Sequence, residues 1–295
     1  MAIYAQPNSW QCGPFALKHG LIALGIYAHE DDLARIAGST EKNGTDDRQL
    51  ARAAQTHGCA LPVVRRSHAW AARRELDHWF ARGAPVLLCL DQWEHWVTAV
   101  SADAEHVVVL DSQFDNAVLR LERWERIAER LVFRRPRWRG LWTQRLYDVH
   151  PLVPARDAGA RLQLTVERAR RLLEFEGGVL ADRWDEYARR LLPLAAATGR
   201  TAHLVRLDRF LTSHADRITA EVERTRGFAV RRDAERVLWR LALAAELYDL
   251  RLRPLLTRRA LARVAGIVSG FVPAKPARVG ARQATAPARI IAASA

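Results

Sequence analysis

Near the start of the chain, a cysteine precedes a glycine and a proline in the run Gln6-Pro-Asn-Ser-Trp-Gln-Cys12-Gly13-Pro14. Proline suits a helix's first turn, where its missing N–H costs nothing. Leu17, Leu21 and Leu24 follow at helical spacing and predict a helix over 14–24. A cysteine at such a start gains from unpaired backbone N–H groups and the positive end of the helix dipole, which both favour a thiolate. Gln6 can fold back so that its side-chain amide and the Cys12 N–H together form an oxyanion hole. The chemistry then needs a base. His95 opens the run His95-Trp-Val-Thr-Ala-Val, and Asp111 closes Val107-Val-Val-Leu-Asp111 sixteen residues later. In an antiparallel pair, that interval with a turn at its middle puts a strand start beside a strand end. Asp111 would accept a hydrogen bond from the imidazole, fix its tautomer and stabilise the imidazolium.

These residues need elements to carry them. Helices are predicted over 30–37 and 47–57, with Gly58 suited to a left-handed cap. Extended runs at 61–65, 85–90, 96–101 and 107–110 are rich in Val and Leu, and a helix over 70–82 interrupts them. Helices first and an antiparallel run of strands after them is an α+β arrangement. Over 134–154 the pattern breaks into Arg, Trp and Pro, which predicts the exit from a first domain spanning 1–150. Beyond it, apolar residues recur at three- and four-residue intervals in 162–175, 179–197, 202–214, 218–224 and 230–252. That pattern predicts an all-α helical bundle over 151–272. Residues 273–295 are largely Ala, Pro and Arg, and read as a disordered basic tail.

The Gln6-to-Pro14 box, the Gly44-Thr45 step before Leu50-Ala-Arg-Ala-Ala-Gln-Thr-His-Gly58, the His95-Trp-Val strand and the strand-ending Asp111 together resemble the bacteriocin-processing (double-glycine leader) peptidases. These are a papain-like branch of the cysteine peptidases. The resemblance covers about 1–133 and does not reach the helical half. It implies a papain-like domain in which Cys12 is the nucleophile, His95 the general base, Asp111 its orienter and Gln6 the oxyanion donor. It also implies a peptide or protein substrate. Where the family commonly has proline after the aspartate, this chain has Ser112.

Composition narrows the remaining classes. The 295 residues carry a net charge of +13, unevenly spread: 1–150 hold 19 Lys and Arg against 18 Asp and Glu, while 151–295 hold 27 against 15. That asymmetry suggests an anionic partner for the second half. No apolar run approaches the roughly 18–20 residues of a membrane span. No secretory signal opens the sequence, and three cysteines make no disulfide framework, so a reducing, cytoplasmic setting is expected. Cys59 and Cys89 lie in apolar sequence and read as inert core residues. No metal site or cofactor is expected: no HExxH, Walker A or dinucleotide glycine fingerprint occurs, and His203 and His214 are too far apart for one helix turn. Trp10, Trp93 and Trp96 are candidates for lining a substrate cleft. Two other readings use the same residues: an inactive papain-like module whose arginine-rich half binds the anionic partner, and a transglutaminase-like acyltransferase.

Overall fold

The computed structural model describes residues 5–113, 118–137, 142–156, 161–175, 184–194, 204–227, 230–252 and 257–272. The first helix, α1 (Cys12–Ala23), is apolar on nearly every side and every one of its residues is buried, as a helix enclosed on all sides should be. Its one lysine, Lys18, pairs with Glu30 at 2.5 Å, the first residue of α2 (Glu30–Ala37). A capping box starts α3 (Asp47–Thr56): the Asp46 carboxylate accepts the Gln49 N–H at 2.7 Å, and the Gln49 side chain accepts the Asp46 N–H at 2.7 Å. That exchange satisfies two of the N–H groups a helix start leaves unpaired.

The strands and helices that follow are β1 (Cys59–Ala60), β2 (Val64–Arg66), α4 (Ala69–Ala81), β3 (Val86–Leu90), β4 (His95–Ala102), β5 (His106–Leu110), β6 (Leu119–Arg123), α5 (Trp124–Leu131), β7 (Val132–Arg137), β8 (Trp142–Pro151) and β9 (Val153–Pro154). Seven of these strands form one sheet in the order β2-β8-β3-β4-β5-β6, with β7 also on β8. Every pairing in it is antiparallel. The pleat divides the Val-Leu-Leu-Cys-Leu run of β3 between two layers: Leu87 and Cys89 pack with α1, α2 and α3, while Val86, Leu88 and Leu90 pack with α4 and α5. Burial on both faces explains why this strand is continuously apolar instead of alternating. The expected α+β fold is present.

The stretch expected to leave the domain does not. Residues 132–137 and 142–151 are β7 and β8, and β8 runs between β2 and β3. Pro136 is tolerated because β7 pairs only with β8. Exposed arginines along β7 dilute the apolar signal that would have marked it. Residue 150 therefore lies inside β8, and β9 returns to pair with β1 through Cys59 and Pro154.

The second half contains α6 (Val166–Phe175), α7 (Trp184–Leu191), a 3-10 turn (Leu192–Leu194), α8 (Leu207–Ser213), α9 (Ala215–Arg226), α10 (Arg231–Leu247) and α11 (Thr257–Phe271). It is not wholly helical, because β10 (Val205–Arg206) and β11 (Arg251–Leu252) make a two-residue antiparallel pair. Its core continues into the first half, joining Ile22 of α1, Val108 and Leu110 of β5 and Leu119 of β6. The Tyr248 hydroxyl donates to the Ile22 carbonyl at 2.8 Å, and the Leu162 N–H to the Ala23 carbonyl at 2.7 Å. The predicted tail, 273–295, lies outside the described residues. Among the described residues no helix is long and apolar enough to cross a membrane.

Candidate active site

Cys12 is the first residue of α1 and is 5% exposed. The helix start is pressed against the 40–45 loop: a Cβ on Gly13 would lie 2.9 Å from Thr45 Cβ, so only glycine fits without displacing the loop. Thr40 and Gly44 close that loop with two backbone hydrogen bonds, of 3.2 and 2.8 Å. Gly44 turns there at φ +59°, a conformation that costs glycine little. The Trp96 indole N–H donates to the Thr45 carbonyl at 2.9 Å. Through Thr45, then, α1 is keyed to β4, and Trp96 is the immediate neighbour of His95.

His95 opens β4, and Asp111 directly follows β5. Thr98 pairs with Leu110 in the ladder. Continuing that register by one residue sets Asp111 across from Val97, a diagonal step from His95 and within reach of its ring. His95 Nε2 lies 2.8 Å from Asp111 Oδ1, and both residues are buried. The same oxygen accepts the Gln113 N–H at 3.0 Å. With Nε2 committed to the carboxylate, Nδ1 is the ring nitrogen left for Cys12. Burial opposes a charge on His95. The Asp111 hydrogen bond and charge, with a further contribution from Cys12, outweigh it and raise the imidazole from 6.5 to about 9. Burial likewise pushes the Asp111 carboxyl upward, but the His95 hydrogen bond and charge, with help from Gln113 and Arg130, bring it below the ordinary carboxylate range.

The turn before His95 has an unusual backbone. Asp91, Gln92 and Trp93 have φ of 55°, 60° and 72°, three consecutive side-chain-bearing residues in the left-handed region. Such residues persist only when their surroundings hold them. Arg130 makes a bidentate pair with Asp91 at 3.0 and 2.7 Å, and Gln92 donates to the Val132 carbonyl at 2.9 Å. Trp93 stacks on Phe133 with ring centroids 3.7 Å apart.

Gln6 approaches from the chain start. Its N–H donates to the Ser112 carbonyl at 2.8 Å. Its side-chain Oε1 accepts the Ser112 hydroxyl at 2.6 Å, and its Nε2 donates to the Asn8 carbonyl at 2.7 Å. One of the two amide hydrogens is thus used within the loop, leaving the other for a ligand.

Trp93, 40% exposed, and buried Trp96 both line a cavity of about 320 Å³ that reaches Cys89 and His150. Trp10, two residues before Cys12, is half-buried and does not line it. Sequence reasoning missed the far wall of this cavity, where Arg65 grips Asp148 at 2.7 and 2.6 Å. Burial pushes His150, beside them, down to about 4, so it stays neutral near pH 7. Arg65 closes the extended run predicted over 61–65, whereas Asp148 and His150 come from β8, inside the stretch whose pattern predicts a domain exit, and no motif marks any of the three. Burial raises the Cys59 thiol to about 11 and raises Cys89 further. Among the described residues no cluster of His, Cys, Asp and Glu could hold a metal ion.

Among solved structures the chain is similar to the peptidase domain of Streptococcus ComA, a bifunctional ABC transporter involved in a quorum-sensing pathway. The identity is 15% and the TM-score 0.38, over 51% of this chain and 96% of that one. It is also similar to a double-glycine-motif protease from an AMS/PCAT transporter, solved in complex with a leader peptide. There the identity is 12% and the TM-score 0.36, over 50% of this chain and 90% of that one. The likeness covers the N-terminal half, the part whose motifs resemble the bacteriocin-processing peptidases. No protein-family model matches the sequence, and no curated protein matches it.

Proposed function

We propose that this protein is a cysteine peptidase, a thiol-dependent hydrolase of peptide or amide bonds. The observation that carries this reading is the 2.8 Å contact between buried His95 and Asp111, with Cys12 at the start of α1 among the groups that raise the imidazole. The imidazolium is the counter-charge for a Cys12 thiolate. The sulfur attacks the substrate carbonyl carbon, and the resulting oxyanion is held by the Cys12 N–H and the remaining Gln6 amide hydrogen. His95 gives its proton to the leaving amine as the C–N bond breaks. It then takes a proton from water, whose oxygen attacks the thioester; the C–S bond breaks, the acid product leaves, and the thiolate–imidazolium pair is restored. Asp111 keeps the ring oriented through both transfers.

Alkylation of the full chain with iodoacetamide at pH 6, followed by peptide mapping, tests the assignment. Cys12 should label at least about tenfold faster than Cys59 or Cys89, because only Cys12 has an imidazolium beside it. Asp111→Asn should slow Cys12 by roughly tenfold or more, since the amide neither fixes the tautomer nor supports the charge. Equal, slow labelling of all three cysteines would sink the hydrolase reading.

A further inference from the structure

We infer that Ser112 is a positioning residue for carbonyl chemistry at Cys12, anchoring the Gln6 amide through Oε1 so that its Nε2 stays in place as a donor to the oxyanion. This inference rests on the hydrolase reading. Ser112 is 2% exposed and binds Gln6 twice, through its carbonyl to the Gln6 N–H at 2.8 Å and through its hydroxyl to Gln6 Oε1 at 2.6 Å.

The Asn8 carbonyl, which only accepts, decides which way round the amide lies, and the Ser112 hydroxyl anchors it there by donating to Oε1. A serine hydroxyl donating to Oε1 and a backbone carbonyl accepting from Nε2 (that of Asn8, at 2.7 Å) are satisfied together in only one orientation. In that orientation Oε1 is occupied and the second hydrogen on Nε2 is free. Without the hydroxyl, Oε1 loses its anchor, and the amide swings on its side-chain torsions and carries Nε2 away from the site. A displaced donor no longer meets the developing oxyanion.

Ser112 also sits between two working parts. Asp111, which orients His95, precedes it, and the N–H of Gln113, which follows it, donates to Asp111 at 3.0 Å. One three-residue segment therefore holds the base's partner with its first and third residues and the oxyanion donor with its middle one. Proline at this position could supply the carbonyl but not the hydroxyl, so the side-chain half of this arrangement depends on serine.

Two reactions of the same sulfur separate positioning from general support. Acylation by p-nitrophenyl acetate passes through a tetrahedral oxyanion: the thiolate bonds to the carbonyl carbon, and p-nitrophenolate departs with the C–O electron pair, leaving acetyl-Cys12. Alkylation by iodoacetamide displaces iodide from a saturated carbon and forms no oxyanion. In the full chain, with Cys12→Ala as the background, Ser112→Ala should lower the acylation rate about tenfold and leave alkylation within twofold. That is part of the roughly 10²–10³ assigned to an entire oxyanion donor. Ser112→Thr, which keeps the hydroxyl, should restore acylation. Gln6→Ala should be at least as slow as Ser112→Ala, and adding Ser112→Ala to it should slow it no further. Unchanged acylation in Ser112→Ala, or equal losses in both reactions, would overturn the positioning role while leaving the hydrolase reading intact. A wild-type Cys12 that neither alkylates preferentially nor acylates would overturn both.

Discussion

At the scale of single residues, three histidines titrate in opposing directions. Burial, reinforced by the Lys18 charge and only partly offset by Asp111, pushes His19 to about 3. Neither of its ring nitrogens has a partner among the described residues. His150 is pushed to about 4. Above pH 6.5 both are neutral whether the chain is folded or not. As pH falls from 6.5 toward 3–4 the unfolded chain takes up protons that the native state refuses, so stability is lost on the acid side. At about 1.4 kcal/mol per pH unit, each removes up to about 2 kcal/mol by pH 5. His95 is raised to about 9, so its contribution is fully present below pH 6.5 and is lost as pH rises through 9. Calorimetry should therefore show a midpoint temperature that falls from pH 7 to pH 5, and falls again on the way to pH 9.5. An unchanged midpoint between pH 7 and pH 5 would mean that His19 and His150 are not held neutral.

At the scale of elements, the β3–β4 turn is the part that sequence pattern conveyed least. The two strands were legible because Val and Leu runs flank Asp91, but nothing in Asp91-Gln92-Trp93 announces three left-handed residues in succession. Each costs on the order of 1 kcal/mol, and the turn is held from outside by Arg130 of α5 and Phe133 of β7. The sequence pattern predicts neither α5 nor β7. Arg130→Gln removes the bidentate grip on Asp91 and should let the turn relax, shifting His95 at its far end. Iodoacetamide alkylation of Cys12 is expected to slow several-fold while the midpoint temperature changes by only a few degrees, since the pair is partly solvent-exposed. Unchanged alkylation would show that β4 holds His95 without the turn.

At the scale of the whole molecule, the helical half is joined to the sheet. Ile22, Val108, Leu110 and Leu119 share one core with α6 through α11, and Leu162 and Tyr248 bond to the last turn of α1. Ending the chain at residue 150 would uncover that apolar patch, clip β8 and remove β9. The fragment 1–150 is therefore expected to be less stable than the full chain and to aggregate, as size-exclusion chromatography and thermal melting would show. A monomeric fragment melting at the full-length temperature would make the halves independent. Charge looks different at this scale too. Arg206, Arg224, Arg231 and Arg251 are each paired with nearby carboxylates, so part of the second half's positive charge is neutralised where it stands.

What could be read without coordinates was whatever leaves a local mark. Pro14 and the leucine spacing marked α1, the Val-rich runs marked β3 to β5, and the sixteen-residue interval suggested that His95 and Asp111 meet. Tertiary structure alone decided the rest: that β8 enters the sheet between β2 and β3, that Thr45 keys α1 to β4, that Ser112 grips Gln6 from 106 residues away, and that the helical half shares the first half's core. The reason is physical. Local periodicity records which face of an element is buried, whereas partners distant along the chain meet through packing and hydrogen bonds that short-range pattern does not encode.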